Sequence, residues 1–205
     1  MREQIPKNSV EFTINKGFEM PRIKVIEHED AQGDLKEVYD SLLKSRGKLA
    51  AVHKIQSLRP KSITAHMDLY MEIMFSRSEL SRAQREMIGV VVSYANGCKY
   101  CTRHHAHALN FYWKDDIKTE KLINGNFTDI LSESDRVLCD LALSLTLEPG
   151  KHEKNDFIEV LKERGYSDEA VLDVVLVISY FNFVNRIVLS LGVAFDENEA
   201  KGYNY

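Results

Sequence analysis

The sequence predicts an all-α fold on three observations. Apolar residues recur at intervals of three and four rather than two, no alternating strand pattern stands out, and the few breakers, four prolines and ten glycines in 205 residues, sit at the edges of periodic segments. With 44% hydrophobic and 28% charged residues the chain has ordinary globular composition, and its length suffices to bury roughly 70% of the unfolded surface. The expected organisation is a flexible extension over 1–19 followed by a single all-helical domain over 20–205. Lys+Arg 27 against Asp+Glu 31 leaves a net charge of -4, which gives no electrostatic reason to bind nucleic acid.

The first helix is expected from Gly33 to Arg46, with Leu35, Val38, Tyr39, Leu42 and Leu43 on one stripe and Gly47 ending it. A short helix follows near Leu49 to Leu58. Arg59-Pro60 punctuates, and Ser62 to Phe75 places Ile63, His66, Met67, Tyr70, Met71 and Met74 at the spacing of one face. Ser81 and Gln84 have the form of a capping box, so a buried helix should carry Arg82 through Ala95. Asn96-Gly97 breaks it, since both residues tolerate a left-handed backbone, and a helix from Cys98 to about Tyr112 completes an αα-hairpin.

Ser132 with Asp135 predicts a helix to about Leu147, ended by Pro149-Gly150, and another runs from about Glu153 to Arg164. Ser167 opens the last long helix, to about Leu191. Its apolar run from Val171 to Val184 is interrupted by Asp173, Ser179 and Asn182 and is shorter than the roughly 20 residues of a bilayer span, so it reads as a core helix. Residues 1–19 contain no apolar signal-like stretch. Three cysteines, two of them in Cys98-Lys99-Tyr100-Cys101, suit a reducing compartment, and the expected location is the cytoplasm, with no membrane partner.

The segment Glu86 to His107 carries the chemistry. On a helix beginning at Cys98, Cys98 and Cys101 are three apart and Cys101 and His105 four apart, so the three share a face. His105 leans back over Cys101, whereas Tyr100 and His107 point away and His104 flanks the stripe. Both cysteines lie in the first turn, where unpaired backbone N–H groups favour thiolate. Lowering a thiol pKa from about 8.5 to about 6.5 raises the thiolate fraction roughly 25-fold, yet lost nucleophilicity leaves a net gain of only a few-fold. Peroxide chemistry would therefore also need a positioned acid-base group. Glu86 and His105 are the candidates: across a hairpin turning at Asn96-Gly97 their depths differ by roughly 3 Å.

Glu, eleven residues, Cys-x-x-Cys, three residues, His is similar to the active-site pattern of the alkylhydroperoxidase D-like branch of the carboxymuconolactone decarboxylase superfamily. The Asn-Gly before Cys98, the stretch Ser78 to Glu86, His104-His105 and the run Phe181 to Arg186 resemble its peroxidase-related subgroup, over roughly Met20 to the C-terminus. The resemblance implies an alkylhydroperoxidase D-like helical fold, a trimer or hexamer of identical chains, and haem-free, thiol-dependent reduction of hydroperoxides. By the same resemblance Cys98 and Cys101 form the redox pair, Glu86 and His105 the proton relay, and a thioredoxin-like or lipoyl dithiol protein the reductant. No cofactor or metal is implied. Tyr100 departs from the pattern, since a histidine can stand between the cysteines, which bears on one arm of the relay.

Other readings stand beside this one. Cys98, Cys101 and His105 could be three metal ligands lacking a fourth, and Glu86 could be no more than the i,i+4 partner of Arg82. A dithiol–disulfide exchange adaptor and a cofactor-free lactone decarboxylase are the alternative functions. Cys139, among Val137, Leu138, Leu141 and Ala142, reads as a small buried apolar residue. Asn182 and Arg186 form either a structural network or a pocket wall, and His53 and His66 lie on apolar helices without an assigned role.

Overall fold

The computed structural model describes residues 21–154, 156–196 and 199; the expected extension over 1–19 lies outside them. Nine α-helices and no strands occur among the described residues. They are α1 (Gly33–Arg46), α2 (Ala51–Lys54), α3 (Pro60–Phe75), α4 (Arg82–Ala95), α5 (Lys99–Trp113), α6 (Asp116–Ile123), α7 (Glu133–Leu147), α8 (Phe157–Lys162) and α9 (Asp168–Leu191).

The α4/α5 hairpin is the centre of the molecule. Ser81 and Gln84 close a capping box at the start of α4, each satisfying a backbone N–H of the other. From Arg85 to Ser93 every residue of α4 is buried, because α5, α7 and α9 all pack against it. Only Gly97 takes the left-handed backbone at the turn, at φ 69°; Asn96 stays right-handed and caps α4. α5 begins one residue later than expected, so Cys98 is its N-cap and Cys101 lies in its first turn.

Several boundaries differ from the sequence expectation for identifiable reasons. Pro60 occupies the first position of α3, where its missing N–H costs nothing. Pro149, expected to end a helix, instead opens a 3-10 turn over Pro149–Glu153, and the following helix shrinks to Phe157–Lys162. The expected helix near Leu49 to Leu58 forms only over Ala51–Lys54. Sequence reading also missed α6, whose start Asp115 caps by accepting from the Lys118 N–H.

α9 is the second buried axis, and its start is capped by Ser167. The whole helix, at 24 residues, is long and apolar enough by length and composition to cross a membrane, while the run Val171 to Val184 lies in it as the core helix expected. Val174, Val177, Ile178, Phe181 and Asn185 on its inner face are buried against α4 and α7. A smaller cluster of Leu35, Tyr39, Leu42, Ile63 and Met67 joins α1 to α3.

At Gly89 of α4 the Phe181 ring of α9 fills the space a side chain would take: a Cβ there would sit 2.7 Å from it. Gly89→Ala is expected to lower stability by about 1–3 kcal/mol, the usual cost of overpacking, as measured by urea denaturation at neutral pH. Because the same ring lies 4.4 Å from that of His105, the variant should also shift the His105 ring resonances in NMR spectra.

Candidate active site

Four positions singled out in the sequence come together at the α4/α5 hairpin. Glu86 is fully buried on α4, facing α5. Its Oε2 lies 2.6 Å from His105 Nδ1, and its Oε1 accepts from Arg82 Nη2 at 2.5 Å and Nε at 3.1 Å. Glu86 is thus both the i,i+4 partner of Arg82 and the partner of His105 across the hairpin. Burial pushes its pKa up, but His105 and then Arg82 outweigh burial and hold it below the usual carboxylate range. Arg82 is itself fixed by the Met74 carbonyl at 3.1 Å and by the Phe75 ring, 3.6 Å beneath its guanidinium.

An ionised Glu86 oxygen can only accept, so His105 Nδ1 carries a hydrogen, and whenever the ring holds a single hydrogen Nε2 is its acceptor. No hydrogen bond among the described residues engages that Nε2. Glu86 therefore selects the tautomer in which His105 can take a proton.

Cys98 and Cys101 are reduced and buried, their Sγ atoms 2.9 Å apart. Such a pair shares protons and titrates as a unit. A hydrogen bond from Cys101 lowers the Cys98 pKa against the opposing effect of burial, and the Cys101 backbone N–H lowers it further. Cys98 makes no full side-chain cap hydrogen bond, so the helix start acts through the direction of its N–H dipoles. Cys101 is held well above the ordinary thiol range, first by burial and then by Cys98. Access divides the pair the other way: Cys101 lines the neighbouring cavity and Cys98 does not. Cys101 is thus the more accessible sulfur and Cys98 the more acidic one.

The cavity is narrow, about 90 Å³, and lies between the α1–α2 connection, α3, α5 and α9. Cys101, His104 and His105 form one wall; Tyr180 and Val184 come from α9, His66 and Tyr70 from α3, and Arg46 and Lys48 from the end of α1 and beyond. Burial pushes His66 down to about 4 and His53 and His104 to about 3, so all three are neutral at pH 7. Tyr100, expected to point away, lines the same cavity, and its hydroxyl donates to Glu199 at 2.7 Å.

Sequence reading missed Asn185. Asn96 Nδ2 donates to Asn182 Oδ1 at 3.1 Å and to Asn185 Oδ1 at 3.0 Å, and Asn185 Nδ2 donates to Ser93 Oγ at 3.1 Å. The Asn185 amide also favours the thiolate of Cys101. Asn182 and Arg186 belong to the structural side of this network, since Arg186 Nη1 binds Asn182 Oδ1 at 2.8 Å. The signal was a run of polar residues inside an apolar helix, of which Asn185 is the buried member. Cys139 is buried, its thiol pushed up by burial, and no group of three or more potential metal ligands gathers among the described residues.

Residues 60–111 match the model of the Carboxymuconolactone decarboxylase family. An uncharacterized peroxidase-related protein from Silicibacter sp. TM1040 superposes with a TM-score of 0.79 at 25% identity, over 92% of this chain and 98% of that one. A peroxidase-related protein from Ralstonia eutropha JMP134, described as an alkylhydroperoxidase AhpD core, gives 0.77 at 23% identity, over 90% and 98%. The debrominase Bmp8 gives 0.69 at 20% identity, over 86% and 96%, and shares the fold.

Since the folded-state pKa of Glu86 is depressed, the stability it contributes is present above the unfolded carboxylate pKa of about 4.3 and is lost as pH falls through the lower folded value. Glu86→Gln is expected to cost about 3–5 kcal/mol at pH 7, because it strands Arg82. In urea melts across pH the gap between wild type and variant should be full above about pH 5 and narrow below it.

Proposed function

Since this chain belongs to the carboxymuconolactone decarboxylase and alkylhydroperoxidase D-like superfamily, we propose that it is a haem-free thiol peroxidase working through a Cys98/Cys101 dithiol–disulfide cycle. The observation that carries this reading is the position of Cys101: on a cavity wall beside His105, whose base nitrogen is set by Glu86, with a second sulfur 2.9 Å behind it. His105 Nε2 takes the Cys101 proton and passes charge to a ring already paired with Glu86. The Cys101 sulfur attacks the terminal oxygen of a hydroperoxide, the O–O bond breaks, and the departing oxygen leaves as an alcohol once protonated. Sulfur is oxidised by two electrons to a sulfenic acid. Cys98 then attacks that sulfur and expels water, closing a disulfide that an external dithiol, of thioredoxin or lipoyl type, reduces by exchange. In this scheme the acidity of Cys98 serves the second step.

Assembly and location are part of the same reading. Leu172, Leu176 and Phe183 on the outer side of α9 and Leu69 and Met71 on α3 are exposed, which supports association of identical chains, three or six of them by the family resemblance. The cysteine usage supports the cytoplasm. A second reading, reductive debromination, has support in the aromatic walls of Tyr70, Tyr100 and Tyr180 and in the likeness to the debrominase. Bromide release from a brominated pyrrole by reduced protein that spares hydroperoxides would replace the first reading with the second.

The deciding experiment is a thiol count by mass spectrometry on reduced protein, before and after one equivalent of an organic hydroperoxide. Two thiols should disappear with formation of a Cys98–Cys101 disulfide. Cys101→Ser should leave Cys98 reduced, Cys98→Ser should trap a sulfenic acid on Cys101, and neither should turn over with a dithiol reductant. Turnover surviving in either serine variant contradicts the proposal.

A further inference from the structure

Tyr180 stands on the cavity wall contributed by α9, is 5% exposed, and has a role in neither half of the scheme above. Its hydrogen bonding can be traced inward from a fixed point. Gln56 Nε2 lies 2.8 Å from the Val52 carbonyl and 2.9 Å from His66 Nδ1. A carbonyl can only accept, so the amide nitrogen must face it, and the second hydrogen of the same NH2 group goes to His66 Nδ1. Nδ1 is therefore an acceptor. Burial keeps His66 neutral at pH 7, with one ring hydrogen, which must lie on Nε2.

That Nε2–H points at Tyr180 Oη, 2.8 Å away. The phenol oxygen accepts, and its own hydrogen is turned elsewhere. No other hydrogen bond to Tyr180 Oη occurs among the described residues, and Cys101 and His105 line the same space. The ring is held by His66, Tyr70 and Phe181, with centroids 5.6, 5.8 and 5.2 Å away. Burial keeps the phenol well above its ordinary range, hence protonated at every working pH.

We propose that Tyr180 is a catalytic acid of this site, protonating the oxygen expelled when Cys101 attacks a hydroperoxide, and that Gln56 and His66 are positioning residues that turn its hydrogen toward the cavity. The inference rests on the peroxidase reading. The balance is complete: His105 takes the Cys101 proton, sulfur bonds to the terminal oxygen, and that oxygen keeps its hydrogen in the sulfenic acid. The electron pair of the O–O bond leaves on the alkoxide, which Tyr180 protonates to the alcohol. The phenolate regains a proton from the His105 imidazolium, and both groups end as they began.

Leaving-group dependence tests it. Single-turnover loss of thiols is measured with tert-butyl hydroperoxide, which expels a strongly basic alkoxide, and with a peroxycarboxylic acid, which expels a stable carboxylate. Tyr180→Phe should slow the alkyl hydroperoxide about 100-fold or more and leave the peroxyacid within about threefold of wild type. Gln56→Leu, which keeps the phenol and releases the His66 tautomer, should slow the alkyl hydroperoxide alone by about tenfold and keeps the test open if Tyr180→Phe does not fold. Equal losses with both oxidants, or none with either, overturn the role of Tyr180 and spare the peroxidase reading. Wild type that exchanges thiols with an aromatic disulfide yet reacts with neither peroxide overturns both.

Discussion

A fully buried carboxylate has to be neutralised where it stands, and in this protein that requirement fixes the site. Glu86 holds its charge at the centre of the helical core only because Arg82 and His105 meet its two oxygens. Removing either partner would leave a charge in a medium that cannot solvate it. The α4/α5 hairpin is therefore held in the register that brings His105 beside Glu86. The same contact chooses the tautomer of the imidazole and turns its free nitrogen outward. In the proposed mechanism, folding and proton transfer depend on one interaction.

A second network holds the sulfurs against that frame. Asn96, at the hairpin turn, binds Asn182 and Asn185 of α9, and Asn185 binds Ser93 of α4. Asn185 is fully buried and Asn96 and Asn182 are half-buried, so losing these bonds would strand polar groups, and the turn that carries Cys98 cannot slide along α9 without cost. Burial keeps bulk water from both thiols; the Cys101 thiol and N–H soften that penalty for Cys98, whereas for Cys101 only Asn185 and its own N–H do so and Cys98 adds to it. The outcome is a pair in which one sulfur is the more acidic and the other is the more accessible.

Much of this was legible in the sequence. The capping box at Ser81, the break at Asn96-Gly97 and the caps at Ser132 and Ser167 act locally, through side chains bonding to nearby backbone, and they fall where expected. The meeting of Glu86 and His105 was also readable, because a hairpin converts residue counts into depth. What could not be read depends on elements far apart in the chain. Tyr180 and His66 are 114 residues apart and meet only because α3 packs on α9. Tyr100 faces the cavity because α2 and Glu199 approach from that side, which helical spacing within α5 does not encode. α6 was missed because its cap, Asp115, stands in a polar stretch with little apolar periodicity.

The central claim is that His105, set by Glu86, is the base that makes the cavity-facing thiol reactive. Its most direct test is the pH dependence of single-turnover dithiol oxidation by an organic hydroperoxide in His105→Gln. The account predicts a rate about 100-fold or more below wild type at pH 7, recovering only as pH rises above the ordinary thiol range, where the buried Cys101 begins to ionise unaided. A variant that matches wild type at pH 7, with the same pH profile, would contradict it.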